Sequence, residues 1–267
     1  MRKQSVILLS LLLLLTGCEK EIYIDYHSTG KVIVVEGLLT NETAEIILTS
    51  TRNMEDSIKS TAIEGAIVTL SGSNGFSEVL EYQSGRYRSP SDATGFPGVT
   101  YTLSVVLDGH EYVSCSVMQQ QAGIKSAAFN WVDIMSLRVL VYQIEINDIE
   151  GEENYYCYRM YRNGENYRWD VFSDRGYVDD VITLDIFCMT DHDSERTEDE
   201  NKRILIDGDV ITLEVITIDR RTYDYLYSLG LSERSSANPV SNFSGGCLGY
   251  FSAQSVSRLE TVLGCEE

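Results

Sequence analysis

Four groups of side chains in this chain have types that could do chemistry: three histidines, an acidic run, an aromatic and basic run, and six cysteines. The histidines, His27, His110 and His192, stand far apart in sequence, none with a second ligand or a nucleophile at a useful spacing. His110-Glu111 continues as Tyr112-Val113-Ser114, which lacks the second histidine of a zinc-protease helix, and no G-x-S-x-G elbow occurs. Ser244-Gly245-Gly246 lacks the lysine and hydroxyl of a phosphate loop. No catalytic residue is assigned, and the chain reads as a non-enzyme. Forty-one acidic residues still leave a glycosidase-type carboxylate pair as a further reading. The densest acidic run is Asp191-His192-Asp193-Ser194-Glu195 with Glu198-Asp199-Glu200, whose oxygens would suit Ca²⁺. Counted from Asp191, however, the sixth and twelfth positions of an EF-hand fall on Arg196 and Lys202, so a solvated loop is expected and no cofactor or metal is assigned.

The aromatic run is Tyr155-Tyr156-Cys157-Tyr158-Arg159-Met160-Tyr161-Arg162. In a strand, period two places Tyr156, Tyr158 and Met160 on one face and Tyr155, Cys157, Arg159 and Tyr161 on the other. The first set is the more apolar and is expected to face the core. Tyr155, Arg159 and Tyr161, with nearby Tyr167 and Trp169, then form a candidate ligand- or partner-binding patch of the Tyr/Trp/Arg type. The competing reading is a two-sided core strand that buries a tyrosine hydroxyl.

Cys18 has a different context. Arg2 and Lys3 precede an apolar run over residues 6–15, too short to span a bilayer, and Gly17 sets a small residue ahead of the cysteine. This arrangement resembles the lipobox of bacterial lipoproteins. It implies a signal peptide over residues 1–17, diacylglycerol on the Cys18 thiol, a lipidated tether over 18–30 and a membrane as the first partner. Glu19-Lys20-Glu21 resembles the acidic signal that sends Bacteroidota lipoproteins to the cell surface. Of the remaining cysteines, Cys115 and Cys157 lie in strand-like runs and are expected to be inert. Cys247 with Cys265 is the candidate disulfide, and an odd total of five leaves at least one thiol unpaired.

These groups must be held by a largely β framework. The formal charge of -20 becomes -22 once Arg2 and Lys3 are removed, which argues against nucleic acid or an anionic membrane surface as partner. Apolar content of 43% supports packed cores. Strands are expected over 31–40, 45–50, 66–70, 76–82, 101–107 and 111–117, with hairpin turns at Asn74-Gly75 and Asp108-Gly109, where both residues tolerate positive φ. The runs at residues 65–70, Gly85-Arg86-Tyr87 and residues 98–103 resemble the carboxypeptidase-regulatory-like, transthyretin-like sandwich, in which the Gly-x-Tyr aromatic packs inside. That resemblance implies a core role for Tyr87. Gln119-Gln120-Gln121-Ala122-Gly123 has linker composition, so a β-sandwich over 31–120 and a second β-rich domain over 121–267 are expected. The second part carries strands over 127–132, 137–146, 155–162, 181–188, 210–218 and 253–259. One short helix is capped by Asp219, with Tyr223, Leu226 and Tyr227 at helical spacing and Gly230 as its end.

Taken together, Cys18-Glu19-Lys20-Glu21-Ile22, Val34-Val35-Glu36-Gly37, Gly151-Glu152-Glu153-Asn154-Tyr155-Tyr156, Tyr161-Arg162-Asn163-Gly164, Tyr223-Asp224-Tyr225-Leu226 and Asn238-Pro239 through Gly249-Tyr250-Phe251 resemble the Bacteroidota lipoproteins of domain-of-unknown-function family 4249. Cys247 and Gly264-Cys265-Glu266-Glu267 depart from that pattern. The resemblance implies an outer-membrane lipoprotein facing the cell exterior, accessory to a TonB-dependent receptor in uptake, and it brings no catalytic residues. A free-standing glycan- or peptide-binding adhesin is the other class of reading.

Overall fold

A computed structural model describes residues 30–52, 60–135, 137–151, 153–177, 180–190, 204–232 and 238–264. The leader, Cys18, the tether up to residue 29, the acidic run at 191–200 and Cys265 lie outside the described residues. The protein is all-β with a single helix among the described residues.

Seven strands make the first part: β1 (Ile33–Thr40), β2 (Ala44–Ser50), β3 (Ile67–Gly72), β4 (Ser77–Gln83), β5 (Arg86–Arg88), β6 (Thr100–Leu107) and β7 (His110–Val117). Their alternation is strict where the sequence alternates: in β6, Tyr101, Leu103, Val105 and Leu107 point inward. The Asp108-Gly109 turn joins β6 to β7 with φ of 51° and 80°, the left-handed pair that a two-residue hairpin needs. Tyr87 is 2% exposed; its hydroxyl accepts from the Ala66 N–H (3.0 Å) and donates to the Ile63 carbonyl (3.1 Å). It is a core residue, as expected.

The second part contributes β8 (Ile124–Ile134), β9 (Leu137–Asn147), β10 (Tyr155–Arg162), β11 (Glu165–Ser173), β12 (Val181–Thr190), β13 (Ile204–Leu205), β14 (Val210–Ile218), helix α1 (Arg220–Ser232) and β15 (Leu248–Val262). One sheet of eleven strands runs β11-β10-β14-β15-β1-β2-β5-β4-β3-β6-β7, and a second of four strands runs β13-β12-β9-β8. The large sheet curls so that β7 returns beside the last strand: Val113 bridges Ser244, and the Ala253 N–H donates to Ser116 Oγ at 2.9 Å.

Strand β15 is longer than the expected 253–259 and joins the two parts. Its first half pairs in parallel with β1, from Val34 opposite Leu248 to Thr40 opposite Gln254, while its second half pairs antiparallel with β14. Phe251 and Ala253 complete a core with Val35, Leu48, Tyr87 and Leu103. A second core lies between the two sheets, built from Tyr142 and Ile144 of β9, Ile182 and Ile186 of β12, Tyr156, Tyr158 and Met160 of β10, and Leu213 of β14. The two cores divide between Met118 and Ala122, within the glutamine run.

A third cluster covers the other face of β10, β14 and β15 with α1, through Cys157, Ile216, Ile218, Tyr225, Leu226, Tyr250 and Val256. Asp219 caps α1 as expected, accepting from the Thr222 N–H at 2.8 Å, and also binds β7 through Ser116 Oγ and the Val117 N–H. Gly230 does not end the helix, which continues to Ser232, because the apolar contacts at Tyr225, Leu226 and Leu229 hold its last turns against the sheet. Tyr227, expected on the packed face, is 51% exposed; Thr222, Tyr225 and Leu226 are the buried set.

Candidate functional site

Strand β10 is buried on both sides, and this decides what its aromatics can do. Tyr156, Tyr158 and Met160 enter the core between the sheets, as their alternation implies. Their neighbours on the other face look toward α1. The Asn163-Gly164 turn, with φ of 50° and 85°, then sends the chain back as β11. The register shifts at Met160/Tyr161: Arg168 stands opposite Met160 and Asn166 opposite Tyr161, leaving Tyr167 as the extra residue of a bulge.

That bulge changes how Tyr167 and Trp169 meet the rest of the expected patch. Trp169 stays opposite Arg159 on the helix side and is 39% exposed. Tyr167 packs against the core between the sheets, its phenol beside the Cys188 thiol, and burial pushes its ionisation well above the ordinary tyrosine value. Tyr155 lies toward the start of α1: Arg220 sits 5.7 Å from its ring centroid and donates to its hydroxyl at 3.1 Å, and Tyr223 packs on it at 5.0 Å. The five expected residues therefore form two places. Tyr155 belongs to a helix-capping aromatic cluster, whereas Arg159, Tyr161, Tyr167 and Trp169 line one cavity.

That cavity, about 550 Å³, opens between the sheet and the second half of α1, with Leu226, Leu229, Tyr250 and Glu36 as its other walls. Its neighbour of about 620 Å³ lies on the outer side of Trp169, against Phe187, Tyr227 and Leu231. Both are lined by Trp169 and Leu226, so they form one groove with the indole as a partition. Arg168 fixes the outer rim by donating from Nη1 to the Phe187 carbonyl at 3.0 Å, which clips β11 to β12 across the two sheets.

At the groove floor the Arg159 guanidinium sits against the Cys157 thiol and the Tyr161 and Tyr250 hydroxyls. Burial disfavours its charge, but the surrounding Cys157, Tyr250, Tyr161 and Glu214 outweigh that and keep it a cation. Glu214, its neighbour across the ladder, is engaged elsewhere: Oε1 accepts from Arg258 Nε at 2.7 Å and Oε2 from the Tyr161 hydroxyl at 3.3 Å. Among the described residues Arg159 has no carboxylate at ion-pair distance. Burial pushes the Cys157 thiol up to about 11, so it is an inert wall and not a nucleophile. A cation at the base, phenol hydroxyls beside it and an indole wall can hold a ligand that offers an anionic or strongly accepting group and a flat or apolar body.

Tyr250, Leu229 and Glu36 were not among the expected site residues. No alternation marks Tyr250, since β15 is buried without a break from Gly249 to Val256, and nothing local says that β1 lies next to it. Elsewhere, Cys247 is a free thiol among the described residues, 4% exposed and packed in the first core, where burial raises it to about 11; Cys265, its expected disulfide partner, lies outside the described residues. The Ca²⁺ candidate at 191–200 lies outside the described residues, and among those described no group of three or more His, Cys, Asp or Glu is arranged to hold a metal ion. Nor is any described helix long and apolar enough to cross a membrane.

Residues 19–260 match the family described as domain of unknown function (DUF4249). The chain belongs to that family. The match spans the first core, the second core except Leu263, and the whole of the groove. No curated protein matches the chain.

Proposed function

We propose that the protein is a non-catalytic lipoprotein of the outer membrane, anchored through Cys18 and facing the cell exterior, that captures a ligand in the Trp169 groove as an accessory of a TonB-dependent receptor. The observation that carries this reading is the groove itself. Arg159 lies at its base with no carboxylate at ion-pair distance among the described residues, between an edge strand and a helix, and the groove opens to solvent beside Trp169. Further support comes from the leader that precedes Cys18 and from the family match, which starts at the residue after that cysteine. The net charge of -20 suits a body that stands off an anionic surface and meets its partner through a local patch.

Purification of the tagged, full-length protein from detergent-solubilised outer membranes tests the partnership. A β-barrel receptor recovered in stoichiometric amount is expected. Its repeated absence would favour a free-standing binder or adhesin, and activity on a polymer abolished by one carboxylate substitution would favour a hydrolase.

A further inference from the structure

We infer that the tip of the β8–β9 hairpin enters the surface of a lipid bilayer. The hairpin ends in a run of exposed apolar side chains: Val132 and Ile134 are each 40% exposed, Leu137 69% and Met135 95%. The register puts Ile134 opposite Leu137 and Val132 opposite Val139, so these four share one face of the ribbon, with Met135 at its apex. Exposed apolar residues occur singly on most surfaces; a contiguous set on a projecting turn calls for a partner.

The apex residue adds a second observation. Among the described residues five that are not glycine have positive φ, and four of them, Ser84, Asp92, Asp108 and Asn163, are polar types that turns commonly use. The fifth is Met135, at 47°. An unbranched apolar side chain gains nothing locally from that conformation and is disfavoured there, so its presence at the most exposed point of the hairpin is not explained by the turn.

Three features select a bilayer as the occupant. On the opposite face, just behind the tip, Arg138 lies 5.3 Å from the Trp131 ring centroid, a pair suited to the lipid–water boundary, where indoles concentrate and arginines reach back to headgroups. The tip is also balanced in charge, with Asp133 opposite Arg138, on a body of net charge -20. From Met135 back to Val132 the strand rises about 10 Å, matching the depth of roughly 5–10 Å to which amphipathic segments sink. This inference does not depend on the groove or on the receptor.

The test uses the chain from residue 18 onward carrying Cys18→Ser, so that no lipid contributes, with vesicles of phosphatidylcholine alone and of phosphatidylcholine with phosphatidylglycerol. Co-flotation with the neutral vesicles is expected, weaker with the anionic ones because the body is acidic. Met135→Asp with Leu137→Asp should lower the bound fraction at least tenfold, since each acid replaces a buried apolar side chain with a charge. Met135→Gly separates the tip's contact from its geometry: it relieves the left-handed strain and should keep or raise the thermal midpoint while weakening flotation. In a Trp169→Phe background Trp131 is the remaining indole, and its emission should shift to the blue on neutral vesicles. No flotation of the parent chain at millimolar lipid, or equal flotation of the double variant, would overturn the inference.

Discussion

Asp209 sits in the turn ahead of β14, 4% exposed, and ties together the ends of several strands. Its carboxylate accepts from the Ile206 N–H (2.9 Å) and the Asn163 side-chain amide (2.7 Å) and ion-pairs with Arg162 (Nε at 2.6 Å), while its carbonyl accepts from the Leu263 N–H (2.9 Å). Burial alone would raise this carboxyl, but the Ile206, Asn163 and Arg162 donors outweigh it and hold the carboxyl below its ordinary value. The sign of the linkage follows: the stabilisation is present above the unfolded value of about 3.9 and is lost as pH falls through the lower folded value. Asp209→Asn should cost about 2 kcal/mol near neutrality, the scale of a hydrogen bond to a charged group. Urea unfolding of both proteins at pH 7, 4 and 3 should show that gap narrowing only below about pH 4; a gap that stays constant would refute the assignment. At this scale the sequence was informative about faces and less so about neighbours. Tyr156, Tyr158 and Met160 turned inward as their alternation implies, whereas Tyr167 left the Arg159 face because of a bulge that no composition signal announces.

At the scale of elements, the parallel pairing of β1 with β15 holds the large sheet together, and one glycine permits it. Gly249 has φ of 104° opposite Val35, and a Cβ there would lie 1.9 Å from the Val35 carbonyl oxygen. Gly249→Ala must therefore push the first and last strands apart and loosen Phe251 and Ala253 from the first core. The expected cost is about 4 kcal/mol or more, a fall of roughly 10 °C in thermal midpoint, readable by circular dichroism; an unchanged midpoint would mean that the pairing tolerates a side chain. The hairpins at Asn74-Gly75 and Asp108-Gly109 were legible because turn chemistry is local. Asn163-Gly164 carries the same signal, and applying it would have found β11, which the strand assignment from sequence omitted. The β1–β15 contact was not legible, since partners more than two hundred positions apart leave no local pattern. The helix was found but ended too early, because tertiary contact at Leu229 overrides the cost of Gly230.

For the whole molecule, β15 belongs to the first core through Phe251 and Ala253 and to the second sheet system through its pairing with β14. The glutamine run does mark where the cores divide, yet the chain closes across that division. Arg258 reinforces the closure by pairing with Glu214 of β14 and with Glu42 in the turn after β1. The groove lies on this shared framework, with walls from β1, β10, β11, α1 and β15. A binding site placed there reports on the whole body, and the proposed role requires that body to be held at a membrane. Fractionation of cells expressing Cys18→Ser tests that requirement most directly. The account predicts a folded protein with an unchanged thermal midpoint, released from the membrane fraction that retains the parent. A variant that stays in the outer-membrane fraction as fully as the parent would contradict it.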